Sequence, residues 1–339
     1  AGLANLFTEE FYHLAKRRLA SDGVMAQWLQ LYGLFPSDVK LIVKTFQSVF
    51  PYTSVWTTVP GDLMLVGSAS PRQVSYQQLS QLFEDPSIRD DLARIDLHDP
   101  RVALELFWFG PEQVRQLVAE IDWLHQDDRP SLEFNAPRGL YVPGLFGMNY
   151  AGLEQLKTSP SLIAPDFDED DRDASFYRAL GQVYAFRNQA PKAIDAYEQA
   201  VALNPADQTA WLELAKLYAK TRLPMKANDA VAQAITYDPS FVEAVAFRAQ
   251  LLWEQGKREE ALGAYRRAAS LQVPDPDLTE EIGYAFRETE HWTEAFEYLH
   301  AALTQDEESR PDLLGGVAET LAELKRYDEA ERLLVLARA

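Results

Sequence analysis

Side chains do chemistry when they hold protons, charge or metal in a fixed pattern, and this chain offers few such patterns. Its five histidines, His13, His98, His125, His291 and His300, form no His-Glu-x-x-His or other ligand spacing. Each is expected at the surface or half-buried rather than on a metal. Cysteine is absent, which excludes disulfides, thiolate zinc sites and a cysteine nucleophile. Asp127-Asp128-Arg129-Pro130 sets two carboxylates side by side, as acid/base work needs, but a turn with a local Asp–Arg pair is the favoured form. Phe107, Trp108 and Phe109 suit a core or an interface better than a cofactor box. No Gly-x-Gly-x-x-Gly follows a strand. Catalysis is not what this pattern points to.

The overall charge narrows the remaining choices. With 52 acidic against 32 basic residues the net charge is −20. No cluster of Lys and Arg can form a nucleic-acid groove, and an acidic surface disfavours anionic lipid. No apolar run nears the ~18 residues of a membrane span, and no signal peptide opens the chain. The expected place is the cytoplasm, with any membrane tether supplied by an upstream region. Opening on Ala rather than Met, the sequence reads as a piece of a longer polypeptide. Its 339 residues suggest two domains.

The elements that could position a functional surface emerge from self-similarity at a period of 34. Tyr177, Leu180-Gly181, Tyr184, Ala193, Tyr197, Ala200 and Pro205 set the pattern. Trp211, Leu214-Ala215, Tyr218, Ala227, Val231, Ala234 and Pro239 repeat it. Val245, Ala249, Leu252, Ala261, Tyr265 and Ala268 follow, with Pro274 one place late. Ile282-Gly283, Phe286, Ala295, Leu299 and Ala302 make a fourth copy. After one inserted residue, Leu314, Val317-Ala318, Leu321, Ala330, Leu334 and Ala337 make a fifth. The spacing resembles the tetratricopeptide (TPR) repeat, a pair of helices whose small residues allow close approach and whose apolar face needs a neighbouring pair to cover it. Five repeats are expected, at 174–207, 208–241, 242–275, 276–309 and 311–339.

Such arrays present the first helix of each pair to a groove. The register puts Arg178, Gln182, Lys216 and Lys220 there in the first two repeats. Glu243, Gln250, Trp253, Glu254, Asp277, Glu280, Tyr284, Arg287, Glu288, Asp312, Glu319 and Glu323 follow in the last three. The Lys/Asn/Arg carboxylate clamp of chaperone-binding TPR proteins is not reproduced. The groove runs from mildly basic to acidic, with Trp253 and Tyr284 as anchors, and suits a partner protein or peptide with a basic or mixed segment. A solvated helix face accounts equally well for the same charges.

The first 70 residues alternate helix and strand. Thr8-Glu9-Glu10 starts a helix carrying Phe11, Leu14, Ala15 and Leu19, and Gly23 is expected to end it in a left-handed conformation. Val24–Leu29 reads as a strand. A helix from Pro36-Ser37 puts Val39, Ile42, Val43, Phe46 and Phe50 on one face. Ser54–Val59 and Leu63–Gly67 form a hairpin over Pro60-Gly61-Asp62. This order is that of the end of a class I methyltransferase-like sheet.

The phrases Leu6-Phe7-Thr8-Glu9-Glu10-Phe11-Tyr12, Gly23-Val24 and Gln27-Trp28-Leu29 resemble the C-terminal half of spermidine synthases (polyamine aminopropyltransferases), closest to bacterial fused forms with C-terminal TPRs. His125-Gln126-Asp127-Asp128-Arg129-Pro130 and Leu132-Glu133-Phe134-Asn135-Ala136-Pro137-Arg138 are similar to their downstream signature. The resemblance implies that Gln27 stands beside a polyamine site, although a polar strand-end residue is the simpler account. It implies too that decarboxylated S-adenosylmethionine would bind only with an upstream half. The family's glycine-rich loop and catalytic Asp are absent here, and its substrate-covering loop is cut down to Val59-Pro60-Gly61-Asp62. No cofactor or metal is expected for this chain alone, and it is not expected to be active by itself.

The fold expectation is therefore mainly α: an α/β half-domain at 1–70, a helical extension at 71–156, an acidic solvated linker at 157–173, and the TPR solenoid at 174–339. The function expectation is a protein-interaction scaffold on an incomplete spermidine synthase-like domain, or else a fragment of an aminopropyltransferase. A homodimer or larger assembly is among the expected partners.

Overall fold

The structure, a computed structural model, describes residues 4–57, 59–271, 275–305 and 310–337. Pro274 and the side chain of Ala337 lie outside the described residues. The chain forms two compact units, Ala1–Ala193 and Ile194–Ala339.

In the first unit a 3-10 turn, Ala4–Phe7, leads into helix α1, Glu9–Arg18. Thr8 caps it, its hydroxyl accepting from the Phe11 amide at 3.3 Å, which satisfies one of the donors a helix start leaves open. Strand β1 (Val24–Gln30), helix α2 (Pro36–Val49) and strands β2 (Tyr52–Thr57) and β3 (Asp62–Ser68) follow. β3 sits between β1 and β2 and is antiparallel to both. The apolar stripe of α2, with Ile42, Val43 and Phe46, packs on Leu29, Val55, Leu63 and Leu65 of the sheet and on Tyr12 of α1. Gly67 permits this approach, since a Cβ there would lie 2.5 Å from the Phe46 ring.

Four expectations change. Helix α1 ends at Arg18 with Leu19 extended, and Gly23 is not left-handed. Its lack of a Cβ instead avoids Leu19 and Ala20, 3.0–3.2 Å away. The 71–156 region is not wholly helical. Helices α3 (Tyr76–Glu84), α4 (Pro86–Ala93) and α5 (Pro100–Glu105) precede a strand β4, Phe107–Phe109, which joins the edge of β2 and is buried throughout. Helices α6 (Pro111–Leu117), α7 (Ser131–Gly139) and α8 (Leu145–Glu154) complete the region.

The third change concerns residues 157–173, which are packed rather than solvated. Ala164 and Phe167 are buried with Leu104. Asp166 accepts hydrogen bonds from the Ser75 hydroxyl and the Tyr76 amide at 3.0 and 2.8 Å, at the start of α3. Asp173 caps helix α9 (Ala174–Phe186) and receives Arg101 at 3.1 Å. The acidic run supplies capping groups, and those bonds hold the Asp166 and Asp173 carboxyls below their usual range. Finally, His125 is fully buried. Its amide donates to Thr45 Oγ1 at 2.9 Å, and burial pushes its imidazole pKa down.

Helix α10, Ala190–Leu203, spans the division between the units. The second unit continues with α11 (Gln208–Lys220), α12 (Pro224–Tyr237), α13 (Val242–Glu254) and α14 (Arg258–Leu271). It ends with α15 (Pro276–Glu288), α16 (Trp292–Gln305), α17 (Pro311–Glu323) and α18 (Tyr327–Ala337). Ala215, Ala227, Ala249, Ala261 and Ala295 are wholly buried at the helix crossings. At Gly283 a Cβ would stand 2.7 Å from Leu299. Large residues between pairs, Tyr265, Phe286, Leu299 and Leu321, are buried too, as stacking demands.

A periodic device unseen in the sequence links the two helices of each pair. Asn188, Arg222, Gly256, Glu290 and Lys325 all have φ between 56° and 76°. The following amide reaches back five residues, as in Leu223 to Tyr218 at 2.8 Å and His291 to Phe286 at 2.9 Å. This left-handed closure satisfies carbonyls that a helix end leaves open.

Candidate protein-docking site

The first helix of each repeat presents the side chains that the register assigned to a groove. In the first unit α9 anchors through Phe176 and Val183, buried with Leu97 and Val102. Its Arg178 and Gln182 are half-buried. In the second unit Lys216 and Lys220 of α11 are exposed, and Lys216 pairs with Glu213 at 2.7 Å.

The acidic far end is more internally paired than its composition suggests. Glu280 receives Arg310 at 2.8 Å, and Glu319 receives Arg287 at 3.1 Å. Glu280 and Asp312 hold the Arg310 guanidinium pKa up. Gln250 donates to Glu281 at 2.8 Å, and the Tyr265 hydroxyl donates to the same carboxylate. Burial, then that carboxylate, push the Tyr265 hydroxyl pKa well up. Glu243, Glu254, Asp277, Glu288, Asp312 and Glu323 remain exposed.

The two aromatic anchors also have structural duties. Trp253 packs half-buried against the Tyr265–Phe286 cluster, and the Arg258 guanidinium lies 3.8 Å over its ring. Tyr284 is half-buried beside Gly316, where a Cβ would come within 2.8 Å of the hydroxyl oxygen. Arg287 stands 5.3 Å over the Tyr284 ring, close enough for a cation–π contact.

Sequence reasoning overlooked Glu281 and Arg310. Glu281 sits one place beyond Glu280 in the groove register and is half-buried, where it meets Gln250 and the Tyr265 hydroxyl of the preceding repeat. Arg310 occupies the residue inserted between the fourth and fifth repeats, outside any 34-residue pattern. Among the described residues no group of His, Asp and Glu could hold a metal ion, and no helix is long and apolar enough to cross a membrane.

A family model for the cilia and flagella-associated protein 70 C-terminal domain, a TPR domain, matches residues 158–339. The chain belongs to this family. The match begins in the packed 157–173 segment and runs through all five repeats. BBSome complex member BBS4 of Bos taurus is 26% identical over 110 residues, 32% of this chain and 21% of that protein. The chain thus matches about a fifth of that relative's length. Among solved structures, MamA is 18% identical, with a TM-score of 0.42 over 47% of this chain and 92% of its own. YrrB, described as a TPR protein with an unusual peptide-binding site, is 20% identical, with a TM-score of 0.43 over 50% and 87%. The repeat half is a TPR-type protein–protein interaction scaffold.

Proposed function

We propose that the array holds an extended segment of a partner protein, basic or mixed in charge, along the first helices of its last three repeats. Exposed Glu254 and Glu288 carry this reading. They stand at equivalent places in consecutive repeats, 34 residues apart, while neighbouring Glu280 and Glu319 are occupied by arginines. Side chains left in water at a repeated position are the ones a ligand meets first, and their charge steers a basic segment. The test is binding to an array of immobilised peptides graded from acidic to basic. Capture should rise with basic content and fall about tenfold in Glu254→Lys/Glu288→Lys, a loss of ~1.4 kcal/mol. Binding that ignores both peptide charge and the double reversal would show these carboxylates to be a solvated face.

A second reading concerns the first unit. The strand order β1-β3-β2, with α2 between β1 and β2 and a tight hairpin into β3, supports descent from the C-terminal half of a spermidine synthase-like domain. Gln27 would then be a remnant of a polyamine site. On this reading decarboxylated S-adenosylmethionine needs the upstream half to bind, and calorimetry on this chain should give no heat. Micromolar binding would overturn the scaffold-only view.

A further inference from the structure

Where α9 packs beside β4 and α8, the chain encloses a small polar cavity of about 40 Å³. Trp108 of β4 and Tyr150 of α8 line it, with Tyr184 of α9 and with Arg187 and Gln189 from the turn into α10. Glu105, Glu154, Lys157 and Lys192 add charge to its wall. All of these residues belong to the first unit, and β4 lies at the end of the sheet away from β1.

Pairing the charges leaves one cation over. Glu105 receives Lys157 at 3.3 Å and also Arg172, and Glu154 receives Lys192 at 2.7 Å. Both carboxylates of the wall are therefore taken. Arg187 is half-buried, and among the described residues no carboxylate pairs with its guanidinium. Burial lowers its pKa, opposed only by the two tyrosines. Donors are in surplus as well. The Tyr150 hydroxyl accepts from Lys192 at 3.0 Å, which leaves its own proton to give. The Tyr184 hydroxyl meets no protein acceptor among the described residues. Against these stands one buried acceptor without a partner, the Gln189 side-chain oxygen, and that amide presents donors instead when it turns over. Water can take up such hydrogen bonds, but it cannot offset the charge, and a cation withdrawn from water without a counter-ion is costly.

We propose that this cavity binds a small monovalent anion, a halide or a carboxylate group, on the Arg187 guanidinium and the Tyr150 and Tyr184 hydroxyls. Size sets the class. One water-sized occupant takes roughly 10–15 Å³, so about 40 Å³ admits a chloride or a formate-like head, whereas a tetrahedral phosphate is too bulky. A charged acceptor on arginine also makes the stronger kind of hydrogen bond. Lys192 and Glu154, with side chains 41% and 43% exposed, mark the way in from solvent. The anion would tie the α9–α10 turn to α8, and the inference is independent of what the repeat groove holds.

Calorimetric melting curves of the full chain test it, with sodium sulfate exchanged for sodium chloride or sodium formate at constant ionic strength. At about one hundred times a millimolar Kd, an anion that fits should raise the melting temperature by about 5 °C over the sulfate value. A rise with chloride alone assigns a halide, and a rise with formate assigns a carboxylate. Arg187→Gln should abolish the rise. Should that variant fail to fold, Tyr184→Phe, which gives up no protein hydrogen bond, carries the test and should need at least threefold more anion for the same shift. A native chain that responds to neither anion overturns the proposal, the cavity then holding water. So does a rise that the variants share in full, since the anion then acts elsewhere.

Discussion

Two glycines in neighbouring repeats allow the packing argument to be tested by a difference in sign. Gly263 lies in α14 and Gly283 in α15, both inside helices. Replacing a helical glycine by alanine relieves the chain of glycine's extra freedom and is worth about 1 kcal/mol of stability. At Gly263 a new Cβ would meet nothing within 4 Å, so Gly263→Ala should gain that amount. At Gly283 it would stand 2.7 Å from the Leu299 side chain and 2.9 Å from its backbone nitrogen. Leu299 is fully buried, and its backbone cannot swing aside, so α15 and α16 must separate. Overpacking of this kind costs about 1–3 kcal/mol, which equals or exceeds the propensity gain. Gly283→Ala should therefore be neutral to destabilising by about 2 kcal/mol once the ~1 kcal/mol of propensity is set against it. Urea unfolding followed by circular dichroism separates the two, with the larger substitution Gly283→Val expected to be worse still. If Gly283→Ala stabilised the protein as much as Gly263→Ala, the tight α15–α16 crossing would not exist.

The left-handed closures make a second pair of opposites. Gly256→Ala should cost about 1 kcal/mol, because an L-residue is strained at φ 76°. Glu290→Gly, at φ 61°, should be neutral or stabilising despite glycine's poor reputation, and thermal melts of the two variants decide it. The third expectation follows from His125. Its folded-state pKa lies below its ordinary value of about 6.5 because burial penalises the imidazolium. The unfolded chain then takes up a proton before the folded one, so the first unit loses stability as pH falls below about 6.5. Above that pH both states hold a neutral ring and the contribution is flat. Urea midpoints measured from pH 8 to 5 should fall more steeply for the native sequence than for His125→Gln. Equal slopes would remove His125 as the cause.

What the sequence made legible followed from period and burial, and what it concealed depended on partners distant along the chain. Tyr265, Phe286, Leu299 and Leu321 could be placed because one 34-residue period fixes each against the next. The start of α1 at Thr8 and the face of α2, with Val39, Ile42, Val43 and Phe46 at helical spacing, were legible at shorter range, whereas the face of α1 was not: Leu14 is exposed and Tyr12, off the expected stripe, is buried. The 157–173 segment misled because a run of Asp reads as solvated until its hydrogen-bond partners are known. Asp166 serves the start of α3, some ninety residues away, and no local rule connects them. β4 was hidden likewise, since three aromatic residues become a strand only where the edge of β2 awaits them. The docking site lies between these cases. Its positions came from the register, but the register could not tell which of its glutamates are taken up by ion pairs within the array. Arg310, on the inserted residue, reaches Glu280, while Glu254 and Glu288 are exposed to solvent. Charge reversal at Glu254 and Glu288 thus probes a ligand, whereas reversal at Glu280 would break an internal ion pair and confuse binding with stability.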